Sequence, residues 1–137
     1  MTTSTTDTQT TATATDGAVA GMSEASAPTL ASITFDCADV GAVAGFWSAA
    51  LGRPLVAPMD GYVQLPGSPT WSFFSVPEPK TVKNRVHVDL EAADLAAAVD
   101  RLVALGATRL GEFEEAGYRW VTLADPEGNE FDVVASG

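Results

Sequence analysis

The chain repeats its own pattern. An alternating segment, S-I-T-F-D-C-A (32–38), leads to Asp39. Apolar residues then recur at helical spacing through Val40, Val43, Ala44, Trp47 and Ala50 to Leu51-Gly52. With an offset of 55 residues from Asp39 to Asp94 the order returns. R-V-H-V-D-L-E (85–91) alternates, Asp94 follows, and Leu95, Ala98, Val99, Leu102 and Leu105 form a stripe that ends at Gly106. Strict alternation marks a half-buried strand, and three-four spacing marks an amphipathic helix. An aspartate before the stripe caps it, and a glycine after it takes the left-handed conformation that ends helices. Each helix is followed by three strand candidates: 54–58, 62–66 and 71–76, then 107–113, 118–124 and 130–135. Pro58, Gly61, Pro66, Gly67 and the turn D-P-E-G-N (125–129) punctuate them. The chain therefore reads as α+β, two tandem βαβββ units, module one over 30–77 and module two over 84–136.

Ahead of the repeat lies a different composition. Nine of the first fifteen residues are threonine, and Asp7, Asp16 and Glu24 are the only charges before Pro28. Such a segment cannot bury a core, so residues 1–28 are expected to be a disordered tail and 29–137 the folded domain. Met22 offers a shorter start, which leaves open whether residues 1–21 belong to the native protein. The tail lacks a basic region followed by an apolar one, so it is not expected to be a secretory signal. The formal charge of −11 argues against nucleic acid and against an anionic membrane surface as partners. The single cysteine, Cys37, excludes an intrachain disulfide and fits a cytoplasmic location.

Three stretches carry a resemblance. D-V-G-A-V-A-G-F-W-S-A-A-L-G (39–52), V-P-E-P-K-T-V-K-N-R-V-H-V-D-L (76–90) and D-P-E-G-N-E-F-D-V (125–133) agree with the repeat. They resemble, in turn, the first-module helix of the vicinal oxygen chelate superfamily, the inter-module segment of its actinobacterial glyoxalase-like proteins, and the superfamily's second-module ending. That superfamily includes glyoxalase I, extradiol dioxygenases and bleomycin-resistance proteins. The resemblance covers about residues 30–136. It implies a cup-shaped mixed sheet with the helices on the convex side and a small-molecule ligand on the concave side.

On that plan the alternation sorts the side chains. Ile33, Phe35 and Cys37 are expected to face the first helix, and Ser32, Thr34 and Asp36 the cup. Val86, Val88 and Leu90 are expected to face the second helix, and His87, Asp89 and Glu91 the cup. On the last strand Phe131 and Val133 go under, with Glu130, Asp132 and Val134 above. Metal-binding members place a histidine seven residues before each helix-capping aspartate and an acid on each fourth strand. His87, the only histidine, fills that position in module two, and Asp132 fills the acidic one. In module one the corresponding residue is Ser32, and the strand W-S-F-F-S-V contains no carboxylate. His87 and Asp132 are thus the candidate catalytic pair and an incomplete metal set. The implied cofactor is none or a weakly bound divalent metal. As a catalytic group His87 would serve as general acid or base.

Aromatic residues are the second signal. Trp47 lies on the helical stripe and is expected in the core. Alternation puts Trp71 and Phe73 on one face and Phe74 on the other, without deciding which face is inside. Trp71, Phe73 and Trp120 join Ser32, Thr34, Asp36, Gln64 and Asp89 as candidate ligand-binding residues, with Tyr118 a weaker one. They suit a small, partly aromatic ligand. Lys80, Lys83 and Arg85, three of seven bases within six residues, read either as an anion contact or as charges balancing an acidic surface. Two functions stay open. One is a small-molecule binding protein without a complete metal site. The other is a glyoxalase-like lyase, isomerase or cyclase using His87 and a carboxylate. A homodimer is compatible with either.

Overall fold

The computed structural model describes residues 27–136, and the fold concerns the compact unit Ala31–Gly137. The expected tail 1–28 lies outside the described residues except for its last two. Module one runs β1 (Ser32–Cys37), α1 (Val40–Leu51), β2 (Val56–Met59), β3 (Tyr62–Leu65) and β4 (Thr70–Ser75). Module two runs β5 (Asp89–Ala92), α2 (Leu95–Leu105), β6 (Thr108–Glu115), β7 (Tyr118–Ala124) and β8 (Glu130–Ala135). Each module makes a four-stranded mixed sheet of the same topology, ordered β1-β4-β3-β2 and β5-β8-β7-β6. The first and last strands of each module pair in parallel, and the remaining pairs are antiparallel. The expected pair of βαβββ units is the fold.

Both helices begin and end where the sequence places them. Asp39 accepts from the backbone N–H of Ala42 at 3.1 Å, and Asp94 from that of Ala97 at 3.0 Å. Each cap satisfies a donor that the first helical turn leaves over. Gly52 (φ +64°) and Gly106 (φ +124°) close the two helices. Arg101 of α2 donates to the carbonyls of Ala49 and Ala50 at the end of α1, placing a cation on that helix's negative pole.

The core lies between each helix and one face of its sheet. Val43, Ala44, Phe46 and Trp47 of α1 are buried, as are Leu95, Val99 and Leu102 of α2. Trp47 is the hub. Its ring lies 5.2 Å from Trp71, 5.9 Å from Phe35 and 4.8 Å from Phe131, so it joins the two modules' cores. Full burial of an aromatic of this kind contributes roughly 2–3 kcal/mol. The turn 125–129 of module two also reaches module one. Glu127 accepts from the backbone N–H groups of Ala38 (2.8 Å) and Asp39 (2.9 Å), ahead of α1. The corresponding turn of module one is occupied from within, by Arg53 donating to the carbonyls of Leu65 and Pro66.

Two expectations need correction. The alternating segment 85–91 is a strand only from Asp89, so His87 stands just ahead of β5. The cause is Asn84. Its side chain donates to the carbonyls of Val86 (2.7 Å) and Glu130 (3.2 Å) and accepts from the N–H of Glu130 (2.9 Å), taking the place of a ladder. Val86 is consequently turned out to solvent, 81% exposed, rather than toward α2. Trp71 and Phe73 belong to the helix face of β4. They are 8% and 0% exposed, with Phe35 against both. They are therefore not on the helix-free face where they were expected; Phe74 lies there instead and stacks on Tyr62 at 4.3 Å.

Candidate functional site

The helix-free faces of the two sheets differ in chemistry at matching places. In module two Asp89 stands opposite Asp132 on β8, and Asp132 opposite Thr122 on β7. In module one the same register sets Thr34 opposite Ser72, and Ser72 opposite Gln64. The 55-residue offset that relates Asp39 to Asp94 relates Ser32 to His87. His87, Asp89 and Asp132 therefore correspond to Ser32, Thr34 and Ser72. One module carries an imidazole and two carboxylates where the other carries three hydroxyls.

The module-two residues converge. His87 Nδ1 lies 3.0 Å from Asp89 Oδ1 and 3.8 Å from Asp132 Oδ2. Asp132 is the most enclosed of the three, its side chain 19% exposed. The Thr122 hydroxyl donates to its Oδ1 at 2.6 Å, which fixes the carboxylate and leaves Oδ2 toward the imidazole. One ligand atom from each of His87, Asp89 and Asp132 falls within 4.8 Å of the others. Such a set of one nitrogen and two oxygens suits a divalent cation with open coordination positions. It also suits direct hydrogen bonding to a ligand. With Nδ1 against Asp89, the other ring nitrogen of His87 is left for a third group.

Two hollows adjoin this group. One, about 240 Å³, runs between β1 and the segment 84–88; Thr34, Asp36, Phe35, Trp47, His87 and Glu130 are among its walls. The other, about 380 Å³, lies over the helix-free face of module two and is lined by Asp89, Asp132, Trp120, Tyr118, Glu115 and Val134, with Ala116. Phe113 stacks on Trp120, with ring centroids 5.6 Å apart.

The remaining candidates sort by module. Ser32, Thr34, Asp36 and Gln64 lie on the helix-free face of module one, apart from the imidazole group except where Thr34 and Asp36 share the first hollow with His87. Gln64 donates to Tyr62 Oη at 2.6 Å, within a polar patch that includes the buried Ser72. Of the basic cluster, Lys83 is paired with Glu130 and Lys80 is turned back on the carbonyl of Val82. Cys37 is fully buried, and its thiol is pushed up to about 12, first by burial and then by the nearby carboxylates of Glu127 and Asp125. Thr122 was not among the sequence candidates. It was readable, because the tight turn 125–129 fixes the hairpin register that puts it opposite Asp132.

Comparison with known proteins agrees with this architecture. A family model described as "Glyoxalase-like domain" matches residues 32–134. None of the curated proteins matches. A glyoxalase/bleomycin resistance protein/dioxygenase family enzyme from Burkholderia phytofirmans PsJN superposes with a TM-score of 0.66 at 16% identity, over 79% of this chain and 98% of that one. A glyoxalase/bleomycin resistance protein/dioxygenase from Nocardioides gives 0.65 at 21%, over 80% and 84%. The fosfomycin resistance protein FosX from Listeria monocytogenes gives 0.67 at 13%, over 81% and 95%. At these identities the likeness is one of fold. The repeat, the paired sheets and the matched family model together establish that the chain belongs to the glyoxalase-like domain family of the vicinal oxygen chelate superfamily.

Proposed function

We propose that this protein binds a small molecule on the helix-free face of module two, through His87, Asp89 and Asp132, with Trp120 as the apolar wall. The observation that carries the reading is the convergence of those three polar side chains beside an aromatic-lined hollow. Module one supports a binding role over a tight metal centre, because Ser32, Thr34 and Ser72 stand where further ligands would be needed. A divalent ion would be held by His87, Asp89 and Asp132 alone, from one edge of an accessible face, and would exchange readily. When bound, it would polarise an oxygen of the ligand. No helix among the described residues is long and apolar enough to cross a membrane.

A second reading is a glyoxalase-like lyase, isomerase or cyclase. The contact of 3.0 Å between His87 Nδ1 and Asp89 favours it, since a carboxylate that holds one ring nitrogen orients the other as a proton acceptor. Amide chemical-shift mapping with a diverse fragment set tests the site common to both readings. Hits should perturb residues 87–89, 120–122 and 132–134, and His87→Ala with Asp132→Asn should remove the response. Hits confined to Thr34, Gln64 and Ser72 would move the site to module one.

A further inference from the structure

We infer that the hollow over module two takes an organic cation bearing a flat apolar group. This deepens the proposed ligand site and rests on it. Three carboxylates (Asp89, Asp132 and Glu115) and two aromatic rings (Tyr118 and Trp120) line the hollow, and no lysine or arginine does. Carboxylates alone attract any cation, a hydrated metal ion included. The rings narrow the class. Their faces are electron-rich and favour a weakly hydrated, spread-out positive charge, and they also offer contact area to a planar group.

The two rings are presented by the backbone. Glu115 and Tyr118 face each other at the tip of the β6–β7 hairpin. The tip itself is Ala116 (φ +53°) and Gly117 (φ +86°). Two successive left-handed residues make the tight turn that keeps a hairpin's ends in register. An alanine in the first of them costs about 1 kcal/mol, so the hairpin holds this geometry against a local preference. Trp120 is braced by Phe113 before any ligand arrives. Tyr118 is left 66% exposed.

The nearby arginines do not neutralise the hollow. Arg109 and Arg119 both bond Glu112, at 2.9 and 3.0 Å, and hold that carboxyl below its ordinary range. Glu112 stands in register with Val121, away from the hollow. An anionic ligand would meet three carboxylates and no lysine or arginine in the lining of the hollow. The net charge of −11 adds attraction at longer range.

Three probes that share a benzyl ring and differ in charge test the class: benzyltrimethylammonium, benzyl alcohol and phenylacetate. Each is titrated into the full chain while the amides of residues 115–122 and 132–134 and the Trp120 indole N–H are followed by NMR. Benzyltrimethylammonium should bind saturably and about tenfold more tightly than either other probe. Asp89→Asn and Asp132→Asn should each weaken it several-fold, Trp120→Leu should remove most of the preference, and Trp120→Phe should retain it. Asp60→Asn, on the β2–β3 turn, should change nothing. If phenylacetate or benzyl alcohol binds as tightly at the same signals, the cationic class is overturned and the ligand site stands. If none of the three perturbs these signals, the site itself is overturned with it.

Discussion

Trp47 donates its indole N–H to Asp125 at 3.0 Å, although 78 residues separate them and both side chains are buried. Asp125 also accepts from the backbone N–H groups of Glu127 and Asn129 and from the Asn129 amide. One carboxylate therefore shapes the turn 125–129 and anchors the residue that joins the two cores. Its oxygens are fully used, which is the condition under which a polar group tolerates burial. Asp125→Ala is expected to cost about 3 kcal/mol, because it strands the indole N–H and the turn amides. Asp125→Asn keeps the shape but turns a donor toward donors, and should cost less. Urea denaturation of the two variants against the parent checks the order.

The two helix-ending glycines differ in how replaceable they are. Gly52 sits at φ +64°, ψ +36°, with nothing within 4 Å of a Cβ placed there. Gly106 sits at φ +124°, ψ +3°, outside the left-handed helical region. Asparagine tolerates the first conformation and no L side chain is comfortable in the second. Gly52→Asn should cost a few tenths of a kcal/mol and Gly106→Asn about 1–2 kcal/mol. Equal costs in thermal or urea unfolding would contradict the assignment.

Cys37 should behave as core. Its thiol is raised from 9.0 to about 12, so folding favours the uncharged form. The sign follows directly: stability from this group is complete below pH 9, and is lost as pH climbs from there toward 12, where the unfolded chain ionises and the folded one resists. At pH 8.5 iodoacetamide should label the thiol only after urea is added. Rapid labelling of the native protein would show that the β1–α1 packing opens.

The repeat was legible because it is written in local periodicity. Caps at Asp39 and Asp94, the glycines at 52 and 106, and the strands 118–124 and 130–135 all follow from neighbours in the chain. What escaped depends on distant partners. Nothing local tells that the Asn84 side chain replaces a ladder beside Glu130, and so the strand was carried too far, through His87. In W-S-F-F-S-V both alternation faces are apolar, so burial of Trp71 and Phe73 is decided by α1 lying above them. Asp89 was placed on the correct face, but its contact with His87 Nδ1 arises from the chain's path into β5. Glu127 reads as a turn residue, and only the fold brings it to Ala38 and Asp39, 89 and 88 residues away.

The central claim is that His87, Asp89 and Asp132 form a ligand site of one module, with hydroxyls in place of a second set of ligands. Native mass spectrometry of the purified chain, before and after dialysis against a chelator and then with added zinc, addresses it most directly. The expected result is a metal-free mass after dialysis and a single zinc adduct on titration that weakens in His87→Ala, Asp89→Asn and Asp132→Asn alike. One equivalent of zinc, nickel or iron that survives the chelator would contradict the account and require further ligands beyond this group.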